Sequence, residues 1–183
     1  MFGLKKSSPV ELRGAKINLR PLREEDFTTV FGWLQDRELV ELGFGRFQND
    51  SGFFDLIQAY KKEIQSRKDS FFAIETRHGK LIGFSSFSIF TSESRARIGI
   101  LIASKQEWSK GYGRDAVRSL LEYLFSTKKV EVVELDTNSS NRRAQRCFQS
   151  CGFKPIQREW SEAAERIWYE IRKEEFYLNP QTV

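Results

Sequence analysis

The sequence predicts an α/β fold in which a mixed sheet of about seven strands carries helices on both faces. The main observation is the order of its segments, which runs β α α β β β α β α β β when apolar alternation and helical period are followed along the chain. No internal repeat or linker rich in Pro, Gly or Ser interrupts that order. Hydrophobic residues make up 39% of the chain and aromatic residues 14%, which is enough for one sizeable core. We therefore expect one domain over residues 1–183, with residues 1–16 as a flexible N-terminal arm.

The first third of the chain is expected to hold one strand and two helices. Ile17 to Leu22 alternates apolar and polar residues as a strand does. Acidic residues at 24–26 then precede an apolar stripe of helical spacing over 27–34. Asn49 to Ser51 offers a cap for a second helix, whose stripe runs from Phe53 to Ile64.

The rest of the chain is expected to hold six strands and two helices. The strands are predicted where apolar and β-branched runs are separated by polar or glycine-containing turns, at 71–76, 80–90, 95–103, 130–136, 153–160 and 165–172. Gly111 to Thr127 changes to helical period, with an apolar face. A short helix follows from Asn141 to Cys151, and Gly152 closes it.

The balance of charge is basic, with 30 Lys and Arg against 25 Asp and Glu, a formal net charge of +5 and a pI near 9.2. Polyphosphate cofactors, acidic substrates and nucleic acid all suit such a chain. No basic stripe is evident, so no nucleic-acid partner is expected. The absence of a run of roughly twenty apolar residues predicts no membrane span. Without a secretory apolar segment the default location is the cytoplasm.

Metal and disulfide chemistry are not expected. Cys147 and Cys151 lie four apart on a predicted helix, too far for a bridge, and are interpreted as core thiols. Two Cys and one His do not complete a four-ligand zinc site within one chain. His78, in a predicted hairpin turn, is a poor candidate for a general base.

The sharpest local signal is the segment Glu107 to Arg114, which contains two glycines between a strand and a long helix. Glycines let the backbone approach a phosphate closely, and the helix start supplies unpaired N–H groups and a positive dipole end. The alternative is that the glycines only turn the chain. The P-loop pattern and the dinucleotide fingerprint are both absent, so a different phosphate-bearing cofactor is indicated.

Two motifs make the resemblance specific. Trp108-x-x-Gly111-x-Gly113, followed by Asp115-Ala116, resembles the pyrophosphate-binding segment of the GNAT superfamily of N-acetyltransferases. A second block, from Leu135 to Phe153, has an Asn, an Ala, an aromatic and a Gly-Phe at the spacing of that superfamily's later segment. Asn18 to Asp26 is similar to the RimJ/RimL subgroup, which acetylates ribosomal-protein N termini.

The resemblance implies a mostly antiparallel GNAT-type sheet and acetyl-CoA (coenzyme A) as co-substrate, without a metal. It places pantetheine on the backbone of Leu101 and Ile102, where the strand splays from its neighbour. The implied cofactor-binding residues are these two together with Ser109, Lys110, Gly111, Tyr112, Gly113, Arg114, Asn141, Ala144 and Phe148. Asn141 would hydrogen-bond the cofactor from the side opposite the loop.

The implied reaction is direct attack of a primary amine on the thioester, without an acyl-enzyme. The candidate proton acceptors are Asp136 and Glu41, with a water chain as the alternative. Phe148 stands where many members carry a proton-donating Tyr, so that role is vacant and Phe148 is interpreted as a core ring.

Arg97 stands where the ribosomal-type subgroup often has a glutamate. Since Arg95 and Arg97 fall on one face of their strand, they predict a cationic cleft for an acceptor with carboxylate or phosphate. The alternative is that both are solvated.

The acceptor itself stays open between a protein N terminus and a small-molecule amine such as a polyamine, an aminoglycoside or an amino sugar. The oligomeric state is expected to be monomer or homodimer. A rival hypothesis keeps the fold and the cofactor but lacks catalysis, which would make the protein an acyl-CoA sensor.

Overall fold

The computed structural model describes residues 10–39, 41–42, 58, 71–160 and 164–178. Within these residues eight strands form one sheet in the order β1-β2-β3-β4-β5-β6-β8-β7. The strands are β1 (Leu12–Arg13), β2 (Ile17–Pro21), β3 (Phe71–Thr76), β4 (Leu81–Phe90), β5 (Arg95–Ile102), β6 (Val132–Asn138), β7 (Lys154–Trp160) and β8 (Glu165–Arg172). All pairs are antiparallel except β5 with β6. The predicted mixed, mostly antiparallel sheet is thus confirmed.

The described helices are α1 (Phe27–Leu34), α2 (Arg37–Leu39), α3 (Tyr112–Ser126), α4 (Arg142–Ser150) and α5 (Lys173–Leu178). The buried residues of α3 and α4 belong to the larger core, while Phe27, Val30 and Leu39 belong to a smaller one that includes Leu101 and Ala103 of the β5 end. Helices therefore cover both faces of the sheet, as the amphipathic stripes predict.

The apolar face of α3 supplies much of the larger core. Ala116, Val117, Leu120, Leu121 and Leu124 are all buried on it. These positions recur every three or four residues, so they fall on one side of the helix and pack on the sheet.

The β5–β6 pair determines where a cleft can form. Their parallel pairing covers Arg95, Ala96 and Arg97 of β5, opposite Val132, Val133 and Glu134 of β6. From Ile98 to Ile102 β5 pairs with β4 alone, while β6 continues to Asn138 against β8. The two strands therefore separate beyond Arg97, and the backbone of β5 is left open on that side.

The structure corrects the prediction for the N-terminal arm. Leu12–Arg13 pairs with β2 as an eighth strand, so the part of residues 1–16 that the structure describes is not a free arm. The carboxylate of Asp115 in α3 accepts hydrogen bonds from the backbone N–H groups of Ala15, Lys16 and Ile17 at 3.1, 2.7 and 3.0 Å. An interaction of a side chain with a distant backbone leaves no periodic trace in the sequence, which is why pattern reasoning missed it.

Other boundaries moved by small amounts. β6 begins at Val132 and ends at Asn138, two residues later at each end than predicted, and α5 was not predicted. The predicted helix over Asn49 to Ile64 lies outside the described residues apart from position 58.

Candidate active site

A cleft of about 430 Å³ opens where β5 and β6 separate. The open half of β5, from Ile98 to Ile102, forms one wall, and Asp136 and Thr137 of β6 contribute to the other. The glycine loop and the start of α3 close one end, and α4 lies along the side with Asn141, Arg143, Ala144, Arg146 and Cys147. The gap between the two strands and the N-terminus of α3 therefore open into the same cleft.

The loop before α3 has the backbone conformation of an anion site. Ser109 and Gly111 adopt positive φ angles of 63° and 86°, and Gly111 is the residue before the helix. The first bond of the helical ladder runs from the Asp115 N–H to the Gly111 carbonyl at 3.0 Å. The N–H groups of Tyr112, Gly113 and Arg114 therefore have no carbonyl of the helix to bind, and they stand at the positive end of its dipole. This arrangement fits a phosphate or diphosphate.

Trp108 fixes this loop to the end of β5. Its indole Nε1 donates a hydrogen bond to the Ile102 carbonyl at 2.7 Å. The guanidinium carbon of Arg143 lies 3.3 Å from the centroid of the indole ring, which is a close cation–π contact. Burial lowers the pKa of Arg143. Trp108 and Arg143 therefore join the loop to α4 across the end of the cleft.

Most predicted cofactor residues line the cleft. Those that do are Leu101, Ile102, Ser109, Gly111, Tyr112, Gly113, Arg114, Asn141, Ala144 and Phe148. The backbone of the open β5 half and the N–H groups of the loop both face this space. The residues present therefore fit the elongated, phosphate-bearing co-substrate that the resemblance implies.

Lys110 is not among the residues that line this cleft. Its ammonium lies 2.8 Å from Glu107 Oε2, and Lys80 lies 2.7 Å from Glu107 Oε1. The hydrogen bond and charge of Glu107 raise the pKa of Lys110, while those of Lys110 and Lys80 lower the pKa of Glu107. This triad stabilises the turn that carries the loop.

Asn141 has a structural role that was not predicted, although Asn is a favoured residue at the start of a helix. Its Oδ1 accepts a hydrogen bond from the Ala144 N–H at 3.1 Å, which caps α4. Its Nδ2 donates to the Leu42 carbonyl at 2.7 Å. Both ends of the amide are thus engaged within the chain, and the predicted hydrogen bond to the cofactor stays a prediction.

Phe148 packs as a core ring at the floor of the cleft. It is buried and contacts Phe153 and Tyr169 with ring centroids 6.1 Å apart in each case. The interpretation of Phe148 as a core residue is confirmed. Tyr169 has its pKa raised by burial and belongs to the same aromatic cluster.

The structure separates the two candidate bases. Asp136 lines the cleft, and its carboxylate is ion-paired with Arg166 of β8. Glu41 is exposed and ion-paired with Arg37 at 2.8 Å, and it is not among the cleft residues. Of the two, Asp136 is therefore the one that the fold brings to the cofactor cleft.

Arg97 does not lie in the cleft, and its charge is matched. Its Nη2 lies 2.6 Å from Glu134 Oε1, and its guanidinium stacks on the Trp168 ring at 4.5 Å. Arg95 lies 2.7 Å from Glu170 and 3.3 Å from Glu134. The prediction of a cationic cleft is therefore wrong for this pair: Arg95 and Arg97 hold β5 to β6 and β8 by ion pairs.

Several residues of the cleft were not predicted from the sequence, among them Leu39, Leu42, Arg143, Arg146 and Cys147. Arg143 and Arg146 belong to the block that resembles the later segment of the GNAT superfamily, but no role was assigned to them. Cys147 was assigned to the core. Hydrogen bonding to Cys151 lowers the pKa of Cys147 against the effect of burial, and Arg114 and Arg143 act in the same direction.

Among the described residues, no group of three or more His, Cys, Asp and Glu side chains is placed to hold a metal ion. The same part of the chain contains no helix that is long and apolar enough to cross a membrane.

Comparison with known proteins agrees with this geometry. Residues 16–154 match the family described as acetyltransferase (GNAT) domain. The chain is similar to the aminoglycoside N(6′)-acetyltransferase type 1 of Klebsiella pneumoniae, with 26% identity over 164 residues, 84% of this chain and 81% of the relative.

Two solved structures have the same fold at low identity. The Vibrio cholerae spermidine N-acetyltransferase in complex with CoA and spermine has a TM-score of 0.76 at 20% identity, covering 88% of this chain and 98% of its own. Mycobacterium smegmatis RimJ in complex with CoA-disulfide has a TM-score of 0.73 at 16% identity, covering 91% and 88%.

Proposed function

The chain belongs to the acetyltransferase (GNAT) family, and we propose that it transfers an acetyl group from acetyl-CoA to the primary amine of a small cationic molecule. The observation that carries the proposal is the cleft between the separated halves of β5 and β6, closed by the loop of unpaired N–H groups. A splayed strand supplies backbone hydrogen bonds for an extended chain, and the loop receives its diphosphate. Both features are needed together for this co-substrate.

The loop and the open strand hold the acyl donor, so the amine nitrogen can be presented to the thioester carbonyl in one orientation. The amine nitrogen adds to the thioester carbonyl carbon, and open backbone N–H groups of β5 would stabilise the negative charge that develops on the carbonyl oxygen. The C–S bond then breaks as the carbonyl re-forms, CoA leaves as a thiolate that takes up a proton from solvent, and the proton of the amine passes to a base. No protein nucleophile is required.

Asp136 is the proton acceptor that we propose for this step. Its carboxylate lines the cleft on β6, two residues beyond the last position at which that strand pairs with β5. Arg166 holds the carboxylate in place through an ion pair. The exposure of Glu41 and its pairing with Arg37 favour Asp136 over Glu41.

The preference for a cationic acceptor has two supports. The relative from Klebsiella pneumoniae is named for aminoglycosides, and a Vibrio cholerae relative with 22% identity over 139 residues is named for spermidine. The objection raised by Arg97 no longer holds, because Glu134 matches its charge. A protein N terminus, which the RimJ/RimL resemblance implied, is the second candidate and rests on the Asn18 to Asp26 similarity and on one structural neighbour.

Release of free CoA thiol from acetyl-CoA is the measurement that tests the proposal. The panel comprises an aminoglycoside, spermidine, an amino sugar, and acidic and neutral N-terminal peptides, with a reaction lacking amine as the control. We expect release with the cationic amines. Release only with peptides would identify a protein N terminus, and not a small cationic amine, as the acceptor. Saturable acetyl-CoA binding without turnover of any amine would favour the sensor hypothesis. A cytoplasmic location and a monomeric or homodimeric state stay predictions.

A further inference from the structure

A second pocket, of about 400 Å³, adjoins the loop before α3, whose Lys110 and Tyr112 help to line it. Its lining residues come from the start of β2, the β3–β4 turn and the loop itself: Lys16, Thr76, Arg77, His78, Lys110 and Tyr112. Tyr112 also lines the main cleft, so the two spaces meet at this residue. Three of the six described lining residues carry a permanent positive charge, and none is acidic.

Lys16 is held directly against the loop. Its Nζ donates a hydrogen bond to the Lys110 carbonyl at 2.9 Å, and it would lie 3.3 Å from a Cβ atom placed on Gly111. The Asp115 carboxylate fixes the backbone on either side of it. The ammonium therefore stands within one residue of the turn whose N–H groups face the cleft.

The charges of this pocket are only partly matched. Lys110 is paired with Glu107, but Arg77 donates through Nη1 to the neutral Asn18 Oδ1 at 2.9 Å, and Lys16 donates to a carbonyl. Within the described part of the chain, neither Lys16 nor Arg77 has an ion pair with a carboxylate. Cations that the protein leaves uncompensated at a phosphate loop are suited to an anionic group of a ligand.

We propose that this pocket binds the 3′-phosphate on the ribose of coenzyme A, an inference that rests on the proposed function. The ribose is esterified to the diphosphate, so a diphosphate held by the loop brings the 3′-phosphate within reach of the adjoining pocket. A phosphate monoester is dianionic and accepts hydrogen bonds from an ammonium and a guanidinium at once. Lys16 and Arg77 are its ligands.

The other wall of the cofactor cleft provides the competing location. Arg143 and Arg146 of α4 also line the cleft and also carry positive charge. Arg143 is stacked on Trp108 and buried, which ties its guanidinium to the loop. Arg146 is therefore the residue whose substitution tests that location.

Calorimetric titration with CoA and with 3′-dephospho-CoA separates these possibilities. Three variants are compared: the double variant Lys16→Met/Arg77→Met, Arg146→Met and Arg23→Met. The double variant removes two positive charges from the basic pocket, and Arg146→Met removes one from the other wall. Arg23 is an exposed residue paired with Glu25, and its replacement controls for the loss of one positive charge away from the pocket. Thermal unfolding of each variant shows that it folds.

The wild-type protein is expected to bind CoA at least about tenfold more tightly than 3′-dephospho-CoA, since even one charge-assisted contact has an effect of that size. In the double variant the ratio of the two affinities should fall towards one, while the affinity for 3′-dephospho-CoA stays unchanged. The Arg23→Met variant should keep the wild-type ratio. A preference retained by the double variant but lost in Arg146→Met would overturn the inference. Equal binding of both ligands to the wild-type protein would also overturn it and leave the proposed function intact. Binding of neither ligand would refute the proposed co-substrate.

Discussion

The two halves of β5 differ in what holds them and in what they are free to do. The backbone of Arg95 to Arg97 pairs with β6. The side chains of Arg95 and Arg97 also form ion pairs with Glu134 and Glu170. Ile98 to Ile102 pair with β4 only and line the cleft with apolar side chains and open backbone. One strand is therefore structural in its first half and forms a binding surface in its second.

The difference shows how a parallel pair can open without unfolding. The ion pair between Arg97 and Glu134 stands at the last paired position of β5 and β6, and Arg95, at the first paired position, is ion-paired with Glu170 of β8. Beyond Arg97, β5 is held along its other edge by β4, and its last carbonyl, that of Ile102, accepts a hydrogen bond from the Trp108 indole. The open half is thus supported by β4 and by a side chain that lines the cleft.

The largest effect is expected from a substitution in β4 that disturbs its contact with the open half of β5. A Cβ atom on Gly83 would lie 1.9 Å from the Leu101 carbonyl oxygen, a backbone atom that cannot turn away. We expect Gly83→Ala to lower the free energy of unfolding by about 3 kcal/mol, as strong overpacking does, and to weaken acetyl-CoA binding. Chemical denaturation and calorimetric titration measure the two effects.

Gly99→Ala is the matched control in the open half itself. A Cβ atom there would meet only the Ser86 hydroxyl, at 3.1 Å, and this side chain can rotate. We expect a smaller loss than in Gly83→Ala. Equal losses would mean that the β4 contact does not set the position of the open half.

A substitution of Asp136 tests whether β6 supplies the proton acceptor opposite the open half of β5. Asp136→Asn removes the carboxylate while preserving its shape, and we expect kcat to fall about 100-fold with little change in the KM for acetyl-CoA, as for loss of a general base. Steady-state kcat and the KM for acetyl-CoA give the readout. Glu41→Gln serves as the control and should keep wild-type rates. If Asp136→Asn lowers only thermal stability, its carboxylate is a partner of Arg166 and nothing more.

The next effect concerns the loop that closes the open half. Gly111 has a φ of 86°, which costs a residue with a side chain about 1–2 kcal/mol. Gly111→Ala should therefore raise the KM for acetyl-CoA by about tenfold, because the loop relaxes away from its N–H geometry. Gly111→Asn is the control, since Asn tolerates this conformation. A KM that rises equally in both variants would assign the effect to the added side chain and not to backbone strain.

The smallest effect is expected in the paired half. Arg97 is partly exposed, with 35% of its side-chain surface accessible, so its ion pair with Glu134 is screened by solvent. We expect Arg97→Met to lower the free energy of unfolding by about 1 kcal/mol or less and to leave acetyl-acceptor kinetics unchanged. Denaturation and thiol-release assays measure both. A large rise in the KM for the amine would restore Arg97 as an acceptor ligand.

Local patterns predicted the elements well and the cleft in outline. The apolar stripe of Gly111 to Thr127 lies on α3, and the two glycines of the loop are at the start of that helix as expected. Periodicity and turn chemistry act over a few neighbouring residues, so they can be read from one sequence. The eighth strand at Leu12–Arg13 escaped prediction because two residues carry no period.

The sequence by itself determined the sheet-and-helix composition, the glycine loop before α3 and the core role of Phe148, since each depends on residues close in the chain. Only the tertiary structure decided which charges are matched. It placed Glu134 beside Arg97, Arg166 beside Asp136 and Arg143 on Trp108, all pairs thirty or more residues apart. A formal charge is fixed by residue type, but its effect depends on the distance to other charges and on burial, and folding alone sets both.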